Sequence, residues 1–231
     1  MIAASAYAQL AEFAEGAGPD PIWDLPDIGA FDSRDARPAA VLILFGVLDG
    51  LPAGHDAQND AVSADLDVLL LTRAQTLRSH AGQIAFPGGR LDAGDRGPED
   101  AALREAWEET GLDPEGVEVL GALGEQPLPF SNHVVTPVIG WWRQPTPVRP
   151  VDAAESSAVF RAPVADLLDP ANRVTWTFTQ GRETRRGPGW VLEVDGAERF
   201  VWGFTAGLLD RLLARLGWEE PWDRSREVPL R

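Results

Sequence analysis

Cysteine and lysine are both absent from the 231 residues of this chain. Without cysteine the chain can form no disulfide, thiolate zinc site or iron–sulfur cluster, so any metal ion must be bound by oxygen or histidine ligands. Without lysine it can use neither Schiff-base chemistry nor the lysine of a P-loop. All 20 basic residues are arginines, so guanidinium groups are the permanent cations of any binding site.

Acidic residues outnumber basic ones by 36 to 20, which gives the chain a formal net charge of −16. Such a surface repels nucleic acids and anionic membranes, so we expect neither as a partner, and an anionic substrate would need local arginines or a metal ion. The sequence has no apolar run of about 18 residues and no signal-peptide pattern, which predicts no membrane span and a cytoplasmic location. A small molecule is therefore the expected partner, and a homodimer is left open.

The chain reads as one domain of mixed secondary structure. Its hydrophobic content of 44% allows a sizeable core, and no repeat or long linker divides it. We expect a domain at 39–231, preceded by an N-terminal extension, 1–38, that packs on it. Runs of Val, Ile and Leu and alternating patterns predict strands at 39–48, 66–72, 117–123, 134–142, 173–179, 190–194 and 199–202. Helical patterns lie within the first 15 residues and at 98–110, 164–168 and 203–216.

The predicted helix at 98–110 carries the clearest chemical signal, because it is dense in glutamate. Glu105 and Glu109 lie one turn apart on one face, and Glu108 lies beside them, so that their oxygens can converge. Carboxylates packed this closely cost stability unless a cation binds among them, and ligation by oxygen alone suits Mg²⁺ or Mn²⁺. Arg104 can hold this cluster in position by pairing with Glu108.

A solvated acidic helix face is the alternative interpretation, since such charge runs are common. Two features favour a metal site. A double glycine, Gly88-Gly89, precedes the helix, and the apolar Ala106 and Trp107 are expected to pack beneath it while the glutamates point elsewhere.

The helix and the loop before it resemble the Nudix box, usually written as Gly, five residues, Glu, seven residues, then Arg-Glu-aliphatic-any-Glu-Glu-any-Gly-aliphatic. The second half fits throughout, over Arg104, Glu105, Ala106, Trp107, Glu108, Glu109, Thr110, Gly111 and Leu112. The first half departs from the family pattern. Asp95 follows Gly89 after five residues, where the family has glutamate, and eight residues rather than seven separate Asp95 from Arg104. Asp95 is kept as the candidate for the first acid.

A second stretch, upstream of the box, is similar to the extra motif of Nudix coenzyme A pyrophosphatases. The motif is carried by Leu69, Leu70, Leu71, Thr72, Arg73, Ala74, Arg78, Gly82, Phe86, Pro87, Gly88 and Gly89. Only Leu71 departs, because the motif has threonine there. The one-residue expansion and Asp95 also look like the box of this subfamily. The last predicted helix resembles the C-terminal helix of the subfamily less specifically.

The resemblance implies an α/β/α sandwich with a mixed central β-sheet and a divalent-metal-dependent hydrolase. The implied reaction is cleavage by water of the pyrophosphate of coenzyme A, or of its acyl thioesters, to adenosine 3′,5′-bisphosphate and 4′-phosphopantetheine. By resemblance Glu105 and Glu109 are the expected Mg²⁺ or Mn²⁺ ligands, with Glu108 supplementary. These three residues and Arg104 form the expected catalytic set, and the general base is left open among the carboxylates.

Substrate binding is expected from residues on either side of the box. Five of the 20 arginines lie between Arg73 and Arg104, and Arg73 and Arg78 are candidates to bind phosphates as fork donors. The alternative, a surface arginine balancing nearby acids, is favoured for Arg96. Gly88 and Gly89 are counted with the substrate site and are expected to form a tight turn beside the metal.

The remaining polar and aromatic residues favour structural roles. We expect His80 and His133 to be packed or hydrogen-bonded, the arginines at 182, 185 and 186 to form a charged hairpin tip, and Trp176, Trp190 and Trp202 to lie in the core. Two functional alternatives stay open: a Nudix pyrophosphatase acting on ADP-ribose, NADH or another nucleoside diphosphate derivative, and a Nudix-like module that binds a ligand without catalysis. An isomerase of the isoprenoid type is disfavoured, since its familiar form uses a cysteine.

Overall fold

The computed structural model describes residues 5–22, 35–48, 53–76, 81–129 and 131–230. Its larger sheet has eight strands: β1 (Arg37–Val47), β2 (Leu66–Arg73), β3 (Ile84–Ala85), β4 (Gly88–Arg90), β5 (Val117–Ala122), β6 (Gln126–Leu128), β7 (His133–Trp142) and β8 (Ser156–Pro163). The strand order is β3-β2-β1-β7-β5, with β4 on β1, β6 on β7 and β8 on β2. The pair β1–β7 is parallel and the other pairs are antiparallel, so the sheet is mixed.

The central strands are continuous apolar runs because a core cluster covers each face of this sheet. In β1, Leu42 and Leu44 face one core cluster, and Ile43 and Phe45 face the other. All four side chains are buried. This burial on alternate sides follows from the two-residue period of a strand.

Helices and a smaller sheet complete the layers. The helices are α1 (Ala6–Glu15), α2 (Pro98–Thr110), α3 (Val164–Leu168) and α4 (Gly203–Arg215), and a short 3₁₀ helix spans Pro114–Gly116. The smaller sheet has the order β11-β10-β9-β12, formed by β9 (Arg173–Gln180), β10 (Glu183–Val194), β11 (Ala197–Val201) and β12 (Glu227–Pro229). Helix α2 covers one face of the central sheet, and the other three helices and β10 cover the opposite face. The α/β/α sandwich expected from the sequence is confirmed.

Helix α2 has the boundaries that its sequence predicts. Pro98 occupies the first turn together with the acidic Glu99 and Asp100, which suit the positive end of the helix dipole. Gly111 ends the helix in the left-handed conformation, with φ of 70°, and its N–H donates to the carbonyl of Trp107.

The prediction that Trp107 packs beneath α2 is wrong. Its side chain is 56% exposed, whereas Ala101, Ala102 and Ala106 are fully buried against the sheet. The small alanine side chains let the helix axis approach the strands closely, so the sheet-facing side of α2 has no room for an indole.

Every predicted strand and helix is present in the structure. Trp190 is fully buried as predicted, whereas Trp176 and Trp202 are only partly buried and make an edge contact with ring centroids 6.1 Å apart.

Strands β9 and β10 form a hairpin around Gly181 with Arg182 at its tip, but Arg185 and Arg186 lie within β10 and not at the tip. Strands β3, β4, β6, β8 and β12 were not predicted: β8 contains no run of large apolar residues, and the other four have only two or three residues each. No helix in the described ranges is long and apolar enough to span a membrane.

Candidate active site

Two glycines bring the edge of β4 against the carboxylates of α2. The N–H of Gly88 donates to Oε2 of Glu109 at 3.0 Å. A Cβ atom at Gly89 would lie 2.5 Å from Oε1 of Glu105, and one at Gly88 would lie 2.3 Å from the carbonyl oxygen of Ala40. Glycine at position 88 lets the backbone of β4 approach β1 this closely, and glycine at position 89 leaves room for the Glu105 carboxylate.

Glu105 and Glu109 form a desolvated pair of carboxyls. Burial raises the pKa of Glu109 to about 7; the Gly88 N–H and Arg73 oppose this rise, and the charges of Glu105 and Glu155 add to it. Burial also raises the pKa of Glu105, opposed by Arg104. Two acids that resist ionisation side by side are stabilised by a cation between them, which is the electrostatic signature of a cation site.

The pair opens onto a cavity of about 370 Å³. The residues lining it are Arg73, Gly88, Gly89, Arg90, Asp92, Glu105, Glu109 and Glu155. Four acids and two arginines give this lining a net negative charge, so an anionic ligand needs an additional cation to enter.

The donor set fits Mg²⁺ or Mn²⁺. Within the described ranges, no group of three or more histidine and acidic side chains is already gathered as a metal site. Mg²⁺ does not require one, because it is commonly bound through one or two carboxylates, with water and substrate phosphates as its remaining ligands. Glu105 and Glu109 supply those two carboxylates as hard oxygen donors, and they would hold the ion.

Arg104 is tied into the loop and helix of the box. Its Nε and Nη2 atoms donate to the two carboxylate oxygens of Asp95 at 3.1 and 3.0 Å. Its Nη1 donates to Oε1 of Glu105 at 3.0 Å and to Oε2 of Glu108 at 3.2 Å, and Nη2 also donates to the carbonyl of Arg90 at 2.9 Å. One planar guanidinium therefore fixes the acidic loop to the helix and orients Glu105.

The structure separates the four predicted acids into different positions. The side chain of Glu105 is 18% exposed and that of Glu108 is 49% exposed. Glu108 lies outside the cavity lining, where it pairs with Arg104. Asp95 also lies outside the lining, and its hydrogen bond from Arg104 lowers its pKa. The geometry thus brings Glu105 and Glu109 together and gives Asp95 a contact that positions Arg104.

Arg73 reaches the cavity from the end of β2. The pairing of β2 with β8 shifts by one residue between Thr72 and Arg73, and a bulge of this kind re-aims the neighbouring side chains. The Nε atom of Arg73 is buried without a hydrogen-bond partner in the described part of the chain. Arg78 and His80 lie outside the described residues, and His133 begins β7 away from the cavity lining.

Three lining residues, Arg90, Asp92 and Glu155, were missed in the sequence. Arg90 and Asp92 follow the double glycine directly, so their nearness to the box could have suggested them. No sequence pattern around Glu155 identifies it as a site residue. It precedes β8, and its carbonyl accepts from the N–H of Ala74 at 2.8 Å, so only the β2–β8 pairing brings it to the cavity.

Comparison with known proteins agrees with this geometry. A model of the NUDIX domain matches residues 58–181. The chain is 39% identical over 157 residues to a Cronobacter sakazakii protein named uncharacterized Nudix hydrolase NudL, which covers 67% of this chain and 77% of that protein. It is 38% identical over 151 residues to the Escherichia coli K12 protein of the same name, covering 65% and 75%.

Solved structures of Nudix hydrolases are also similar to this chain. One is the Nudix hydrolase RenU of M. smegmatis, with 23% identity, a TM-score of 0.46, and coverage of 82% of this chain and 91% of that one. The match of the domain model to residues 58–181 and the identity to the two NudL proteins show that the chain belongs to the Nudix hydrolase family.

Proposed function

We propose that this Nudix hydrolase cleaves the pyrophosphate of coenzyme A, and of acyl-coenzyme A, with Mg²⁺ or Mn²⁺. Water would attack one phosphorus of the bridge, the bond from that phosphorus to the bridging oxygen would break, and the proton released by the water would go to a carboxylate. The products would be adenosine 3′,5′-bisphosphate and 4′-phosphopantetheine or its acyl form.

One observation carries the proposal: the two sequence motifs meet at a single cavity. The upstream motif contributes Arg73 and the glycines of β4, and the box contributes Glu105 and Glu109. These segments are adjacent in space because β4 pairs with β1 and packs against α2. The upstream motif is the part that resembles coenzyme A pyrophosphatases, so its participation in the cavity supports coenzyme A over other diphosphates.

Different residues of the cavity would have different roles in such a reaction. When bound by Glu105 and Glu109, the divalent ion would neutralise phosphate charge and activate water. Arg73 can donate two parallel hydrogen bonds to a phosphate oxygen pair. The Gly88 N–H fixes the orientation of Glu109. We assign proton acceptance to Glu155, because it lines the same cavity and its charge acts on Glu109.

Product analysis tests the substrate. The purified protein would be incubated with coenzyme A, ADP-ribose and NADH at matched concentrations, each with Mg²⁺, with Mn²⁺ and with chelator. We expect metal-dependent release of adenosine 3′,5′-bisphosphate, with coenzyme A preferred. Faster turnover of ADP-ribose or NADH would reject coenzyme A and keep the pyrophosphatase chemistry, and no turnover of any substrate would favour a ligand-binding module.

Two variants separate the roles of the carboxylates. Glu109→Gln removes one charge from the proposed metal site, so we expect turnover to fall by orders of magnitude and Mn²⁺ binding, measured by calorimetry, to weaken. Glu155→Gln should lower kcat while Mn²⁺ binding is retained, because Glu155 is assigned to the proton. Equal loss of Mn²⁺ binding in both variants would make Glu155 a ligand instead.

The cellular setting also stays a prediction. A cytoplasmic location is expected from the sequence, and cell fractionation would test it. The sequence leaves a homodimer open, and size-exclusion chromatography with light scattering would decide the oligomeric state.

A further inference from the structure

Arg199 contacts the end of β2 from the smaller sheet. It lies in β11, and its Nη1 atom donates to Oγ1 of Thr72 at 3.3 Å. Its guanidinium carbon lies 4.9 Å from the ring centroid of Phe160, a residue of β8. One arginine of the smaller sheet therefore contacts both β2 and β8 of the larger sheet.

The contact lies where the register of these two strands changes. Thr72 pairs with Ala158 and Arg73 pairs with Ser156, so Ser157 is an extra residue of β8. The hydroxyl of Ser157 donates to the carbonyl of Thr72 at 3.3 Å. Because a bulge interrupts the regular ladder, the direction of the next side chain depends on how firmly the bulge is held.

A second side chain holds the neighbouring strand at the same point. Ile84 of β3 pairs with Thr72, and the carbonyl of Ile84 accepts from Oγ1 of Thr205 at 3.0 Å. Thr205 is buried and lies in α4. Arg199 and Thr205 therefore hold one cross-strand pair of the larger sheet against the layer behind it.

Arg73 follows this pair directly and faces the other way. Alternate residues of β2 point to opposite faces, so Thr72 shares a face with Leu70 and Arg73 shares one with Leu69. Leu70 packs in the core cluster that contains the buried residues of α4, and Leu69 packs in the cluster of α2. Arg73 thus lies on the α2 face, which agrees with its place in the cavity lining.

We infer that Arg199 is a positioning residue for the diphosphate of the substrate: it holds the bulge at Thr72 and thereby keeps Arg73 directed into the cavity. This inference rests on the proposed function and deepens it, because it adds a residue from outside the site. Arg199 is not among the residues that line the cavity, so it acts on the substrate through Arg73 alone.

A double-mutant cycle tests this dependence. Arg199→Met removes the donors but keeps a long side chain over Phe160, and we expect it to lower kcat/KM for coenzyme A about tenfold, the range of a lost hydrogen bond to a charged group. Arg73→Ala should lower kcat/KM by at least as much. The double variant should lose no more than Arg73→Ala alone, because Arg199 acts through Arg73. Losses that multiply would overturn the inference.

Thr72 provides a second test of the same contact. Thr72→Val removes the acceptor and keeps the shape of the side chain, so it should lower kcat/KM as Arg199→Met does, whereas Thr72→Ser keeps the hydroxyl and should retain the wild-type value. Arg186→Ala is the matched control, because Arg186 lies in β10 of the same smaller sheet but pairs with the exposed Glu227. Wild-type kcat/KM in both Arg199→Met and Thr72→Val would overturn the inference. If thermal melting shows that Arg199→Met is unfolded, the cycle is run with Thr72→Val.

A binding measurement keeps this inference separate from the proposed function. Calorimetry with ADP and Mg²⁺ repeats the cycle without turnover, and we expect Arg73→Ala, Arg199→Met and the double variant all to bind ADP more weakly than the wild type, the double variant no more weakly than Arg73→Ala. If coenzyme A is not turned over but ADP binding follows this pattern, the proposed function fails and the role of Arg199 stands. If Arg199→Met binds ADP no more weakly than the wild type, the role of Arg199 is refuted whatever the turnover shows.

Discussion

Asp67 offers the sharpest stability prediction, because a charged group is buried there outside the cavity. Its side chain lies in β2 and the residue is 2% exposed. Burial raises its pKa to about 7, opposed by Arg161, whose Nη1 lies 3.9 Å from Oδ2. The Oδ1 atom has no hydrogen-bond partner in the described part of the chain. We predict that Asp67→Asn stabilises the protein at neutral pH.

The magnitude follows from the difference in pKa between the folded and unfolded chain. The folded carboxyl retains its proton up to about pH 7, whereas the unfolded one loses it near 3.8. Folding is therefore weakened as the pH rises from about 4 to about 7 and is constant above that range. Three units at 1.36 kcal/mol each give an upper limit of about 4 kcal/mol, which the asparagine variant avoids.

Urea unfolding of the wild type and of Asp67→Asn at pH 4, 5, 6, 7 and 8 would measure this difference. Subtracting the two curves cancels the titration of Glu105 and Glu109, which both proteins share. The exposed Asp60→Asn is the control and should change the free energy of unfolding by less than about 0.5 kcal/mol at every pH. A difference for Asp67→Asn that does not change with pH, or a less stable variant at pH 8, would refute the reasoning.

The other predictions concern the carboxylates and glycines of the box. Asp95→Asn should lower kcat, because Arg104 then loses the acceptor that holds it against Glu105. The control, Asp100→Asn, breaks an exposed ion pair outside the cavity and should leave kcat unchanged. Steady-state kinetics with coenzyme A measure both. Gly89→Ala should weaken Mn²⁺ binding in calorimetry more than it lowers the Tm, because the new methyl group meets the movable end of Glu105 and not the backbone. Adding Mg²⁺ or Mn²⁺ should raise the Tm of the wild type by mass action, and an unchanged Tm at millimolar ion would contradict the metal site.

Local patterns were sufficient for the parts of the fold that depend on local interactions. The apolar runs of β1 and β2 and the capping signals of α2 predicted these elements nearly to the residue. Glu105 and Glu109 could be paired from the sequence because one turn of helix fixes their relation. Trp107 was misjudged because the helix buries alanines, and the burial of an alanine face depends on how closely the sheet approaches.

The rest of the site depends on contacts between segments distant in sequence. Strand β8 consists mainly of small and polar residues, so its sequence does not predict that it pairs with β2. That pairing nevertheless brings Glu155 to the cavity, and its bulge re-aims Arg73. Arg73 and Glu155, more than 80 positions apart, thus contribute opposite charges to one cavity because the register of β2 and β8 brings them together.

Register therefore controls the chemistry of this site as strictly as the box does. If β8 slipped by one residue on β2, every side chain of β8 would change face, and Phe160 would leave the core cluster in which it is buried. The cost of removing that ring from its cluster keeps β8 in place, and β8 in turn keeps Glu155 beside Glu109. The apolar core on one side of the sheet thereby fixes the position of the exposed carboxylate that immediately precedes β8.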